Sequence, residues 1–373
     1  MRVLGSLLIC LLGMGWADAI TCGQESCWES IAGVSNVSLR GLHVLDSEVV
    51  WASGASGTIL HTHDGGETWR SQVIPGAELL DIRDLHVFDR ENVLAMTSGT
   101  PARLYRTSDG GENWKLVFES NDPRVFLDSV SFLDDRRGLV MGDPVDERLY
   151  LLHSTDAGWN WSFVENTPQL QPGEAGFAAS GTNMTVRSGD FWVIGLGGGI
   201  PEESGDGAGP GAPLRATCDP VVECARVVTV DSRLAEWRIK DTPLSRHASG
   251  GIFSMVYFDS KNGVAIGGDY KQPDLAQNHI ILTIDGGETW EVPDSKHLPS
   301  GFRSCVAVAV QADSSVPLLI AVGTNGTDIS GDYGRNWRRV SDVGFNAVGF
   351  APDGRTGWAV GSDGRIAKWR HSR

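Results

Sequence analysis

Five aspartates that recur in one short motif are the first candidates for chemistry in this chain. Each lies in the pattern Ser/Thr-x-Asp-x-Gly-x-Thr/Asn-Trp, as between Thr62 and Trp69. An Asp at the start of a tight turn accepts hydrogen bonds from backbone N–H groups two or three residues on, and the following Gly can take a positive φ. The pattern therefore predicts carboxylates that lock β-hairpin turns, here called Asp-box turns, instead of catalytic acids. The five are Asp64, Asp109, Asp156, Asp285 and Asp332.

A second group of polar residues belongs to segments that lengthen three consecutive repeats. These segments are residues 142–148, a Gly/Pro-rich insertion at about 197–223, and residues 268–279. Repeat proteins collect insertions on the face that binds a partner. We therefore predict that the three segments extend one face and that binding residues lie there or between repeats. The candidates are Asp143, Asp146, Arg148, Asn183, Arg246, Asp269, Tyr270, Lys271 and Arg303.

The spacing of the motifs predicts the element that carries them. Trp69, Trp114 and Trp161 lie 45 and 47 residues apart, which is the size of a four-stranded propeller blade. A degenerate motif, Thr229–Trp237, indicates one more blade before Trp290. The sequence thus predicts an all-β, seven-bladed β-propeller, with six blades as the alternative. The tryptophans counted are Trp69, Trp114, Trp161, Trp237, Trp290, Trp337 and Trp369.

The segment Cys27–Gly33 resembles a strand that follows an Asp-box turn, yet no blade precedes it. We predict that it supplies the outer strand of the last blade. Such pairing closes the ring and covers edges that an open sheet would expose.

Composition and charge limit the possible partners. The 47 Gly, 13 Trp and many short apolar runs favour one repeat domain. A formal net charge of -16 argues against nucleic acid and anionic membranes, which require basic surfaces. We also expect a monomer.

The first residues have the features of a secretory signal. Arg2 precedes an apolar run, Val3–Leu12, and Ala17 and Ala19 give a small-x-small cleavage pattern. We predict a signal peptide at 1–19, a single propeller domain at 20–373, and an extracytoplasmic location, periplasmic or secreted, without stable membrane insertion.

The cysteines fit export. Cys22 with Cys27, and Cys218 with Cys224, form close pairs that are plausible local disulfides. Cys305 begins an apolar, strand-like run, so we predict a buried, inert thiol.

The repeats resemble the sialidase-type BNR-repeat propellers. The pairing of Asp-box turns with GxxGxI strands, Gly54–Ile59 and Gly361–Ile366, looks more like the photosystem II assembly factor group (Ycf48/HCF136-like). This likeness covers nearly the whole predicted mature chain. The chain also resembles bacterial exported proteins of this group that are labelled oxidoreductases. The resemblance implies the propeller fold and, for the assembly factors, a scaffold that holds a protein.

The chain departs from these families where function is concerned. It lacks the Arg-rich patch of the assembly factors and the Phe/Tyr-Arg-Ile-Pro motif of sialidases. We predict a binding or assembly scaffold with a protein or glycan partner on the extended face, and no cofactor. The alternative is a glycosidase-like enzyme or an oxidoreductase, with Asp143 and Asp269 forming an acidic rim over the central channel. Those carboxylates could also hold a hard cation, but binding to turn N–H groups and water is the favoured interpretation, so we predict no metal.

Overall fold

The computed structural model describes residues 27–188, 190–199, 224–277, 279–310 and 315–370. These ranges form seven antiparallel sheets, one per blade. The prediction of an all-β propeller with seven blades is confirmed, and the six-bladed alternative is wrong. Over the same ranges, helical structure is limited to a single 3-10 turn, Ser362–Gly364.

The first strand, β1 (Trp28–Ile31), precedes blade one. Blades one to three then contain four strands each, from the innermost to the outermost. They are β2 (Leu39–Val44), β3 (Val50–Gly54), β4 (Thr58–Thr62) and β5 (Arg70–Val73); β6 (Asp81–Val87), β7 (Asn92–Ser98), β8 (Ala102–Ser108) and β9 (Lys115–Ser120); and β10 (Leu127–Phe132), β11 (Gly138–Val145), β12 (Arg148–Ser154) and β13 (Ser162–Phe163).

Blades four to seven complete the ring, and two short strands, β14 (Glu174–Ala175) and β17 (Gly197–Gly198), join the inner edge of blade five. The remaining strands are β15 (Met184–Arg187), β16 (Phe191–Gly195), β18 (Cys224–Asp231) and β19 (Trp237–Ser245); β20 (Gly250–Tyr257), β21 (Gly263–Asp269) and β22 (Ile280–Thr283); β23 (Cys305–Ala309), β24 (Leu318–Gly323), β25 (Gly326–Ser330) and β26 (Arg338–Ser341); and β27 (Ala347–Phe350), β28 (Gly357–Val360) and β29 (Ile366–Trp369).

The Asp-box turns lock their hairpins through both carboxylate oxygens. Asp64 Oδ1 accepts the Thr68 N–H at 2.9 Å and the Thr62 hydroxyl at 2.7 Å, while Oδ2 accepts the Thr68 hydroxyl. Hydrogen bonds from Thr68 hold the Asp64 pKa well below its usual range. The other four aspartates repeat this arrangement, so each carboxylate is occupied by its own turn.

The backbone N–H groups that bind the aspartates extend one residue further than predicted. Each aspartate accepts the N–H four residues on, and in four of the turns the N–H three residues on also lowers the carboxyl pKa. The nearer N–H, that of Gly66 in the first turn, donates instead to the Thr62 hydroxyl at 3.0 Å. The Ser or Thr of the motif thus takes the near donor, which leaves the carboxylate to bridge to the far side of the hairpin.

The degenerate turn of blade four keeps only part of this lock. Asp231 Oδ1 accepts the N–H groups of Ala235 and Glu236 at 2.7 and 2.9 Å, and Leu234 takes a φ of 57°. The turn therefore lies between β18 and β19, where the degenerate motif predicts it.

Asp-box turns also contact the blade before them. Gly66 has a φ of 91°, and a Cβ added there would lie 2.0 Å from the Trp358 ring of blade seven. Trp69 packs edge-on against the same ring, with centroids 5.5 Å apart. The glycine is thus required both by backbone conformation and by the close approach of the neighbouring blade.

Strand β1 closes the ring as predicted. It pairs antiparallel with β29, with Trp28 opposite Trp369 and Ile31 opposite Ile366. The Trp28 indole N–H donates to Thr327 Oγ1 of blade six at 3.0 Å, and the ring packs against Phe345 at 5.2 Å. The N-terminal strand therefore joins blades six and seven as well as supplying the outer edge.

We expect Gly66→Ala to destabilise the fold more than Gly76→Ala. Both glycines have positive φ, but a Cβ at Gly76 would have no atom within 4 Å. The backbone conformation alone costs an alanine about 1–2 kcal/mol, and the clash with Trp358 adds about 1–3 kcal/mol. Urea unfolding followed by tryptophan fluorescence measures the difference. Equal losses of stability would show that the turn does not depend on the neighbouring blade.

We expect Trp28→Ala to lower the free energy of unfolding by about 3–5 kcal/mol, because it removes a large buried side chain. Trp28→Phe keeps most of the apolar contact and loses the hydrogen bond to Thr327, so it should cost about 1 kcal/mol for that bond, plus part of the packing. Thermal unfolding of the two variants separates packing from hydrogen bonding. A stable Trp28→Ala protein would contradict a role for β1 in ring closure.

Candidate functional site

The strand order of each blade assigns its connections to two opposite faces. Strands alternate in direction, so connections between the second and third strands share a face with the connections between blades. We call this the loop-rich face, and the opposite one the Asp-box face. All three segments predicted to extend one face connect second to third strands. That of blade three is a long hairpin in which Val145 pairs with Arg148, and residues 200–223 of blade four lie outside the described residues.

The sequence did not predict that the connection between blades three and four enters the central channel. Residues 176–183, here called the channel segment, contact inner strands on several sides of the ring. The Ala178 carbonyl accepts a hydrogen bond from Arg83 of blade two, and the Thr182 carbonyl accepts one from the Met255 N–H of blade five. The Ser180 hydroxyl donates to the Ser304 carbonyl next to blade six at 2.9 Å.

The small side chains of the channel segment allow this close approach. A Cβ at Gly181 would lie 2.1 Å from the Asp84 carboxyl carbon, and one at Gly176 would lie 2.4 Å from Asp128 Oδ2. The available signal was the unusual length of residues 164–183 together with their content of Gly, Ala and Ser. Length alone does not predict the direction of a loop.

Four inner strands each contain a bulge at an equivalent position. Three of the four bulged residues contact the channel segment. The bulged residues are Arg40, Arg83, Asp128 and Phe253. Arg83 bonds Asp81 at 2.7 Å as well as Ala178, whereas Arg40 makes no ion pair among the described residues. Burial and the charge of Arg83 lower the Arg40 pKa.

Three carboxyl groups beside the channel segment have raised pKa values because they are removed from water. Burial raises the pKa of Asp84 to about 7, although the Leu85 and Val130 N–H groups donate to it. Burial and the charge of Asp143 raise the pKa of Asp128 well above its usual range. Burial also raises the pKa of Asp143 to about 6.

An aromatic stack lies where the channel segment meets blade five. Phe177 and Phe253 stack with ring centroids 4.0 Å apart, and Phe302 packs edge-on against Phe253 at 4.7 Å. Tyr270 contacts both Phe177 and Phe253 at 6.4 and 6.3 Å, and 45% of its surface is exposed. Lys271 lies over the tyrosine ring at 6.0 Å.

Asp143 and Asp269 have separate hydrogen-bond partners, and the acidic rim that they would share stays a prediction. Asp143 Oδ1 accepts the Gly176 N–H at 3.0 Å. Asp269 is buried, and it accepts the Lys271 N–H at 2.9 Å and the Gln272 side-chain amide at 3.0 Å. His247 lies 4.0 Å from the Asp269 carboxylate.

Three predicted binding residues are buried and hold the structure together. Arg303 has no exposed surface and forms an ion pair with Asp328. Arg246 donates to the Gly198 carbonyl and to Gln171 Oε1 at 3.2 and 3.0 Å. Asn183 has no exposed surface.

The remaining predicted residues lie near the hairpin of blade three and the loop of blade five. Exposed Asp146 pairs with Arg124 at 3.1 Å, and Arg148 donates to the Thr167 carbonyl at 2.8 Å. His279, at the end of the blade-five segment, is buried, and its Nε2 atom lies 2.8 Å from the Pro299 carbonyl oxygen.

The cysteines follow the predicted pattern where they can be described. Cys305 is a free, buried thiol whose pKa is raised by burial. Cys27 and Cys224 are disulfide-bonded. Their predicted partners, Cys22 and Cys218, lie outside the described residues, as does the predicted signal peptide, so these pairings and the cleavage site remain predictions. Among the described helices, none has the length and apolar character needed to cross a membrane.

Comparison with known proteins agrees with the architecture. Residues 79–188 match the family model described as photosynthesis system II assembly factor YCF48. No curated protein gives a significant match.

Two solved structures share the fold. A structure described as YCF48 bound to D1 peptide is 15% identical, with a TM-score of 0.62, and the alignment covers 94% of this chain and 98% of that one. YCF48 from Cyanidioschyzon merolae is 18% identical, with a TM-score of 0.59, and coverage of 92% and 98%. The resemblance predicted from the repeats is thereby confirmed as a similarity: residues 79–188 match the YCF48 family model, and the chain shares the β-propeller fold of the two YCF48 structures.

Proposed function

We propose that the chain is a scaffold that binds a protein segment on its loop-rich face, with Tyr270 as the anchor of the binding site. The observation that carries this proposal is a large, exposed aromatic side chain held on a fixed aromatic support. Tyrosine is enriched among the residues that dominate binding energy, because it offers apolar area and a hydroxyl at a small entropic cost.

The support beneath Tyr270 is ordered before any partner arrives. The Tyr270 N–H donates to the Ser249 carbonyl at 3.2 Å. The Asp269 carboxylate accepts hydrogen bonds from Lys271 and Gln272, which follow Tyr270 in the chain. Phe253 and Phe302 are each 3% exposed. A preorganised anchor loses little conformational freedom on binding, which leaves more of the contact energy for affinity.

Other apolar side chains are exposed in connections on the same face. Leu79, between blades one and two, is 97% exposed, and Val343, between blades six and seven, is 41% exposed. Scattered apolar contacts around an aromatic anchor are typical of a protein-binding surface. The Ycf48 structure with a D1 peptide supports the proposal, because a similar propeller holds a protein segment.

The contacts of the acidic residues favour a scaffold over the enzyme alternative. The channel segment occupies the place where an acidic site over the channel would receive a substrate. Asp143 and Asp269 are each bound to separate backbone groups. An extracytoplasmic location, from the predicted signal peptide, is part of the proposal.

We expect Tyr270→Ala to weaken partner capture strongly, whereas Tyr333→Ala should leave it intact. Tyr333 is a matched control, since it is 40% exposed but lies in an Asp-box turn on the opposite face. The wild-type chain, residues 20–373, and each of the two variants are immobilised separately and exposed to native extract of the source organism. Quantitative mass spectrometry then compares the captured proteins. Loss of an anchor of this kind weakens binding by about thirtyfold, or about 2 kcal/mol.

The outcomes separate the alternatives. Proteins that the wild type and Tyr333→Ala capture, but Tyr270→Ala does not, support the proposal. Capture of the same proteins from deglycosylated extract would show that the chain binds protein and not glycan. Identical capture by all three chains would contradict a site at Tyr270. Loss with Tyr333→Ala alone would place binding on the Asp-box face.

A further inference from the structure

Two carboxyl groups in blade three converge on one residue of the channel segment. Asp128 and Asp143 belong to the paired strands β10 and β11, and their charges interact. Asp143 Oδ1 accepts the Gly176 N–H at 3.0 Å. Asp128 Oδ2 lies so close to Gly176 that a Cβ there would approach it to 2.4 Å. Gly176 is therefore flanked by both carboxyl groups.

Asp128 is 1% exposed, and its Oδ2 atom has no hydrogen-bond donor among the described residues. A buried carboxylate oxygen without a partner is costly, because it has lost its hydration and gained nothing in return. Like charge on Asp143 adds to this cost. The positive charge of Arg83 acts on Asp128 in the opposite sense, but no described side chain donates a hydrogen bond to this oxygen.

Other buried side-chain oxygens nearby also lack hydrogen-bond partners, among them the Ser129 hydroxyl next to Asp128. Buried oxygen atoms without partners include Asp81 Oδ1 and Asn183 Oδ1, both in elements next to blade three or the channel segment. The nearby cation, Arg83, is already bonded to Asp81 and to the Ala178 carbonyl. Carboxylate and amide oxygens are the ligands that hard cations such as calcium take in proteins.

We propose that a divalent cation of the calcium class binds between the carboxylates of Asp128 and Asp143, beside Gly176. The ion would neutralise the pair and thereby stabilise the channel segment against blade three. Water would complete its coordination, since within the described ranges no three His, Cys, Asp or Glu side chains gather as in a closed metal site. Such a sparse ligand set corresponds to a Kd of about 10⁻⁴ to 10⁻³ M, as in extracellular calcium modules.

The test is isothermal titration of the metal-stripped mature chain at pH 7.5 with calcium chloride, and separately with magnesium chloride. The wild-type chain should bind one calcium ion, and Asp128→Asn and Asp143→Asn should each weaken binding at least tenfold. Asp269→Asn is the matched control: Asp269 is 4% exposed, also buried, but its oxygens are occupied by Lys271 and Gln272. It should bind calcium as the wild type does.

A second measurement protects the test against misfolding. Calcium should raise the melting temperature of the wild type and the Asp269→Asn control but not that of the two site variants, each first checked by circular dichroism. If one site variant fails to fold, the other still decides. Absence of calcium and magnesium binding to the wild type would overturn the proposal, leaving water or a shared proton between the carboxyl groups. Equal binding by all variants would overturn it too, because the ion would then lie elsewhere on this acidic chain.

Discussion

The contact between neighbouring blades is the constraint on which the rest of the structure depends. A blade of four strands leaves both faces of its sheet apolar, so it is stable only when a blade covers each side. The Asp-box turn contributes to that contact, because its second glycine lets the hairpin approach the preceding blade. At Gly66 the ring of Trp358 fills the space that a side chain would need. The same residues thus fix the turn and the spacing between blades.

Closure of the ring follows from the same requirement. Blade seven receives its outer strand from the N-terminus, and Trp28 reaches on to Thr327 in blade six. Both ends of the described chain are therefore held in one blade. A closed ring leaves no long unpaired edge between first and last blades, which suits a protein that must not associate through strand pairing.

Once the ring is closed, the channel becomes a narrow space that must be filled or hydrated. Here the channel segment fills part of it with Gly, Ala and Ser residues. Its contacts with Arg83, Asp84 and Asp128 explain why several inner strands carry charged side chains towards the axis. These charged groups lie in the interior, whereas Tyr270, the proposed anchor, is exposed on the loop-rich face.

The sequence by itself determined the features that depend on local geometry. An Asp, a Gly and a Trp at fixed spacing specify one hairpin, and the distance between successive motifs specifies the size of a blade. The fold, the closing strand and the buried Cys305 could therefore be predicted. Tertiary structure decided which polar residues face solvent. Arg303 and Asn183 look like binding residues in the sequence, yet they are buried. No motif in the sequence indicates that Asp128 and Asp143 both lie beside Gly176. The path of residues 164–183 places Gly176 beside Asp128 and Asp143, and that path depends on packing against several blades at once. Contacts between residues far apart in the chain leave no periodic signal, which is why only the folded ring reveals them.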